Sequence, residues 1–169
     1  MAQYAVPIRL SWTGTVMANF RAVHTKFWAD HKVEPLSKGD KLLFLYLLTN
    51  PYRTSSGLYP ITRNRAAQDC SMTVEEVDSA LEELAGAGLT LYDDETSTVL
   101  VLNAVKYLQR TKQMRTSVVN DVTYINSPLA EELVNLHQLR QWEEWTDEAE
   151  FALSSRKAIE DWKEDETPF

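Results

Sequence analysis

The sequence predicts an α+β fold that is mostly helical, and three observations carry that prediction. Apolar residues recur at helical spacing through most of the chain, as in TVEEVDSALEEL (73–84), where Val74, Val77, Leu81 and Leu84 follow one another at three, four and three. Strand-like runs are few and short: LYPI (58–61), LTLY (89–92) and STVLVLNAV (97–105). Hydroxyl side chains stand just ahead of helical stretches, at Ser37, Thr62, Thr73 and Ser127, where each can accept from an amide the helix leaves unpaired.

Taken in order, residues 1–25 alternate weakly and suggest a strand (PIRLSW) or an ordered arm, and HTKFWAD (24–30) a short strand or an anchor carrying Phe27 and Trp28. The first strong helix starts at Ser37, with Asp40 at its third position to reach back toward the cap. LLFLYLLT is apolar almost all round, so this helix belongs in the middle of a core. Asn50-Pro51 ends it, because proline disfavours helical geometry in the residue before it. NPYRTSSG reads as a loop into the strand LYPI. Thr62 then caps RNRAAQDC (63–70), Ser71-Met72 turns, and Thr73 with Glu76 makes a capping box for the next helix, which Gly86 and Gly88 close. LTLY and STVLVLNAV form a hairpin around the polar turn DDET.

Further along, KYLQRTKQMRTSVVNDV is expected to be helical from near residue 106. SPLAEELVNLHQLRQW opens with a clear start signal, Ser127 as cap, Pro128 first and Glu131 third, and lines Leu129, Leu133, Leu136 and Leu139 along one face. A last helix, from about 146 to 162, places Phe151, Ala158, Ile159 and Trp162 on a partial stripe, ahead of a frayed KEDETPF.

Helix, strand, helix, turn, helix, hairpin is the element order of a winged helix-turn-helix, here about 37–105. The expected organisation is an N-terminal arm or strand (1–25), a winged-helix domain (26–107) and a helical C-terminal extension with an acidic end (108–169). In such domains the third helix usually enters the major groove and the hairpin, or wing, touches backbone or minor groove.

KFWAD, LSKGDKLLFLYLLTNPYRTSSGLYPIT, TVEEVDSALEELAGAG and the hairpin ending in VLNAVKY together resemble the N-terminal domain of phage replication initiators, the replisome organisers related to DnaD-type primosome proteins. The resemblance covers roughly residues 24–137, SPLAEEL included, and is most specific in LLFLYLLTNPYRTSSGLYPI. It implies a winged helix that binds origin DNA, self-associates or recruits helicase-loading partners. Members of that family often carry a further domain or a basic tail at the C-terminus. This chain carries an acidic helix there instead, a departure that bears on helicase loading.

Charge is segregated. Residues 1–67 hold nine Lys/Arg against three acids, 68–103 nine acids and no base, 104–120 four bases and no acid, and 121–169 thirteen acids against four bases. The net charge of -8 therefore hides two basic segments, and it does not exclude nucleic acid. Cys70 is the one cysteine, so neither an intrachain disulfide nor a zinc cluster is expected. With no signal peptide and no apolar run of membrane length, the sequence reads as a cytoplasmic protein, in the host cell if phage-encoded. His24, His31 and His137 are scattered, and no metalloprotease, nucleophile-elbow or phosphate-loop pattern occurs; no enzyme, cofactor or metal is expected.

Phosphate-binding candidates are Arg53 in the loop, Arg63, Asn64, Arg65 and Gln68 on the second helix, Thr73 at the start of the third, and the run Lys106, Arg110, Lys112 and Arg115. On one helix from residue 106, that run would spread over roughly 14 Å. The third helix itself shows Glu75, Glu76, Asp78, Glu82 and Glu83, which repel a duplex carrying one negative charge per ~1.7 Å. Trp142, Trp145, Phe151 and Trp162 either dock on the protein's own core or mark an interface with a second copy or with a host or phage replication protein. The leading expectation is a replication-initiation protein that holds DNA mainly by its backbone. The alternative is an acidic interaction module that self-associates, or binds or inhibits a host protein, without touching DNA.

Overall fold

A computed structural model describes residues 21–108 and 111–165, with side chains as far as Ile159. The first helix, α1 (Lys38–Thr49), is followed by strand β1 (Leu58–Pro60), α2 (Arg63–Cys70) and α3 (Val74–Gly86). Strands β2 (Thr90–Asp93) and β3 (Thr98–Val101) come next, and then α4 (Lys112–Tyr124), α5 (Leu129–His137) and α6 (Asp147–Asp165). The fold is α+β and mostly helical. Its sheet runs β1-β3-β2, all antiparallel, with Leu58 opposite Leu100 and Leu91 opposite the same leucine.

Local chemistry sets the boundaries. Ser37 Oγ accepts from Asp40 N at 3.2 Å while Ser37 N donates to Asp40 Oδ2 at 2.9 Å, and Thr73 and Glu76 exchange the same pair at 3.1 and 2.8 Å. Thr62 caps α2, and Ser71 turns out of it in the left-handed region at φ 55°. Asn50, buried at the end of α1, donates to Tyr46 O at 3.0 Å and to Tyr59 Oη at 2.8 Å, and the Tyr59 hydroxyl donates to Leu47 O at 2.7 Å. This buried network satisfies polar groups that would otherwise cost stability, and it ties α1 to β1. Gly57 enters β1 at φ +79°, and a Cβ there would stand 2.4 Å from that of Ala104, so only glycine fits.

Alternation along the strands divides the interior in two. Tyr59, Val99 and Val101 face a core filled by Leu43 and Leu47 of α1, Ala66 and Cys70 of α2, and Val77, Leu81 and Leu84 of α3. Leu58 and Leu100 point the other way, against Val118 and Val122 of α4, Ala130 and Leu133 of α5, Leu139, and Leu153 of α6. The helices expected as an extension thus cover the second face of the sheet, giving three layers. Arg156 of α6 donates to Val122 O at 2.7 Å and Thr123 O at 2.6 Å, closing carbonyls that α4 leaves open at its end.

Several expectations change. HTKFWAD is a 3-10 turn (Thr25–Ala29), not a strand; Phe27 is its anchor, stacked on Phe44 at 5.6 Å, while Trp28 is exposed. The final strand stops at Val101, and Ala104 N bonds back to Val101 O at 3.1 Å as the chain turns. No helix runs from residue 106: Val105–Tyr107 is a 3-10 turn, Leu108 is extended, and α4 begins only where Thr111 Oγ1 accepts from Met114 N at 3.3 Å. The leucine face after Ser127 is broken too. Gln138 takes φ 52°, which ends α5 and puts Leu139 into a 3-10 turn, and Leu136 is left exposed. The last helix continues through Lys163 to Asp165. The expectation for PIRLSW lies outside the described residues.

Candidate nucleic-acid interface

The arginines of α2 are already held. Arg63 Nε pairs with Asp78 of α3 and its Nη2 with Asp94 of the β2–β3 turn, while its guanidinium lies 4.4 Å over the Tyr92 ring. Burial works against its charge, but the bonds to Asp94 and Asp78 outweigh it and raise its pKa above the usual arginine value. Arg65 Nε meets Asp69 Oδ2 at 2.9 Å, and the same oxygen accepts from the Tyr46 hydroxyl at 2.7 Å. That hydroxyl, then Arg65, holds the Asp69 carboxyl below its usual range. Asn64 and Gln68 are exposed on the same helix, and the Thr73 hydroxyl serves the cap of α3.

The acids of α3 divide by role. Glu76 completes the capping box, Asp78 holds Arg63, and the Glu75 carboxyl is lowered chiefly by backbone amide hydrogen bonding at the helix start. Glu82 and Glu83 stand exposed with no ion pair among the described residues. The outer face of α3 is therefore negative, and the nearest cations are neutralised.

Arg53 sits in the loop before β1 with its Nε buried and without a hydrogen-bond partner. Burial first, and the neighbouring Arg21 second, lower its pKa; Arg21 also donates to the Arg53 carbonyl.

A different environment surrounds the segment from β3 to α4. A groove of about 420 Å³ opens there, with Val105, Leu108, Met114 and Leu136 as apolar lining and Asn103, Lys106, Arg115, His137 and Trp142 supplying polar and aromatic groups. Arg115 lies 5.6 Å over the Trp142 ring, and its Nη1 is 3.8 Å from Glu144 Oε2. The Glu144 side chain is only 6% exposed, and that oxygen has no hydrogen-bond partner. Lys106 is exposed, with Nζ 5.9 Å from the Tyr107 ring, and Lys112 is exposed at the first position of α4. Neither lysine makes an ion pair among the described residues. His137 donates from Nε2 to Leu102 O at 2.9 Å, fixing the groove's inner wall. Arg110 lies outside the described residues.

The aromatic candidates also separate. Trp142 and Trp145 are partly buried against the second core, and Trp145 Nε1 donates to Glu150 Oε2 at 3.2 Å. Phe151 is 74% exposed and Ile159 56% exposed on α6. Trp162 lies within α6, and its side chain is outside the described residues.

Two groups escaped the sequence reading. Arg140 forks onto Glu131 at 3.1 Å and Glu150 at 3.0 Å, joining α5 to α6; bonds to Glu131 and then Glu150 raise its pKa. Asp121 of α4 accepts from Ser56 N at 3.1 Å, and burial pushes its carboxyl up to about 6 against the Ser56 and Thr54 hydrogen bonds. An acid followed by a base at distant positions carries no local signal; only the SPLAEEL start, with Glu131 in its first turn, pointed nearby.

Among the described residues no cluster of His, Cys, Asp or Glu is arranged to hold a metal ion, and no helix is long and apolar enough to cross a membrane. Comparison with protein-family models, curated proteins and solved structures returns no match to this chain.

Proposed function

We propose that this chain is a cytoplasmic, winged-helix DNA-binding protein of the replisome-organiser type, and that it holds the DNA backbone along the 105–115 edge rather than through α3. Support for the winged helix is the order α1-β1-α2-α3-β2-β3 with β1 antiparallel to β3, together with the likeness of LLFLYLLTNPYRTSSGLYPI to replication initiators. One observation carries the location of the DNA contact. Lys106 and Lys112 are exposed without a carboxylate partner among the described residues, while Arg63 and Arg65 are bound to Asp78, Asp94 and Asp69. A cation already neutralised by protein acids releases few counterions when it meets a phosphate, so it adds little to affinity. The test is a titration of labelled DNA at low and rising salt: Lys106→Glu with Lys112→Glu weakens binding at least tenfold, and unchanged affinity sinks the assignment.

A second reading, an interaction module, draws on Phe151, Ile159 and the exposed Tyr124 around α6. It is tested by sedimentation of Phe151→Ser with Ile159→Ser. A self-associating protein becomes a monomer, whereas an unchanged monomer before and after removes self-association through this face. Truncation ahead of α6 would not serve, because Ala149 and Leu153 are buried and the second core would open.

A further inference from the structure

We infer that the groove beside Trp142 receives a base of single-stranded nucleic acid, with the flanking phosphates held by Lys106 and Lys112. This rests on the DNA-binding reading above and narrows it from backbone contact to the unpaired strand. Volume is the first argument: about 420 Å³ falls within the range of pockets that enclose small ligands, and it is ample for one nucleotide. The second is the interleaving of rings and cations. Arg115 covers Trp142 at 5.6 Å, Lys106 approaches Tyr107 at 5.9 Å, and Tyr107 is 68% exposed beside the lining residues Lys106 and Leu108. Two rings flanked by cations are what a single strand needs, because each base offers a face to stack and each link a charge to neutralise. A duplex hides those faces.

A peptide fits less well, since an extended chain needs paired donors and acceptors along its backbone. Of the polar lining, His137 Nε2 is already committed to Leu102 O.

The experiment compares a short labelled oligothymidine with its duplex on oligoadenine, by fluorescence anisotropy at low salt, for the full chain and three variants. The single strand is expected to bind more tightly than the duplex. Trp142→Leu weakens it roughly 5- to 150-fold, Lys106→Glu weakens it and flattens its salt dependence, and Lys38→Glu, on exposed α1 surface, leaves it unchanged. Melting by circular dichroism checks each fold; because Trp142 packs partly on the second core, the preference of the native chain for single strand over duplex carries the test if the leucine variant unfolds. Equal affinity for both forms, untouched by Trp142→Leu, overturns the groove while leaving backbone binding intact. No binding of either form overturns both. A protein that ignores oligonucleotides, but loses affinity for an acidic, aromatic-ended peptide on Trp142→Leu, has a peptide groove, and the inference fails.

Discussion

The outer face of α2, α3 and the β2–β3 turn and the edge of residues 105–115 both present cations, in opposite states. On the first, Arg63 is clasped by Asp78 and Asp94, Arg65 by Asp69, and α3 carries the exposed Glu75, Glu76, Glu82 and Glu83. On the second, Lys106 and Lys112 have no acidic partner among the described residues, and Arg115 is shared between the Trp142 ring and a carboxylate at 3.8 Å. Counting basic residues treats the two faces alike. What separates them is whether each cation's charge is already spent on the protein itself, and this decides which face has attraction left for a phosphate.

Both faces depend on the sheet, so the largest effect comes from breaking it. Leu100→Ala empties a fully buried site against α4, α5 and α6 and is expected to cost about 2–5 kcal/mol in chemical denaturation. A cost below 1 kcal/mol would mean that the second layer is not packed as described.

The seating of α4 depends on pH through Asp121. Its folded pKa of about 6 lies above the ordinary 3.8, so the folded state binds the extra proton, and ionisation weakens the fold. Stability of the native chain relative to Asp121→Asn should therefore rise as pH falls from 7 to 4, by up to about 3 kcal/mol. Paired melting curves across that range check it, and a flat difference contradicts the burial of this carboxylate.

Charge changes come next. Lys106→Glu with Lys112→Glu should leave the melting temperature unchanged, since both side chains are exposed, while DNA affinity falls at least tenfold. Smallest is Arg63→Gln, which frees Asp78 and Asp94 and removes the contact with Tyr92. It should cost up to about 1 kcal/mol of stability, read by denaturation, with little change in DNA affinity.

The legible parts of the molecule are those set by neighbours in sequence. Ser37 with Asp40 and Thr73 with Glu76 announce their helices because a cap needs only residues three apart, and Asn50-Pro51 ends α1 for an equally local reason. The spacing of Val77, Leu81 and Leu84 marks the buried side of α3. Less legible is the stretch after β3, where apolar STVLVLNAV reads as one long strand although the chain turns at Leu102–Ala104 and brings Ala104 against Gly57. Residues 106–111 look helical by composition, yet Thr111 is a better cap than any earlier residue, so α4 starts late and the basic run is split. The site suffered most from distance. Arg63 meets partners 15 and 31 positions away, and only the folded chain brings Asp78 and Asp94 to it.

The salt dependence of DNA binding tests the contrast between the faces most directly. Affinity is measured across a salt series for the native chain, for Lys106→Glu with Lys112→Glu, and for Arg63→Gln with Arg65→Gln. The slope of log affinity against log salt should fall by about two for the lysine pair and stay unchanged for the arginine pair. The reverse pattern, a slope lost with the arginines and kept without the lysines, would return the DNA to the α2–α3 face and contradict the account.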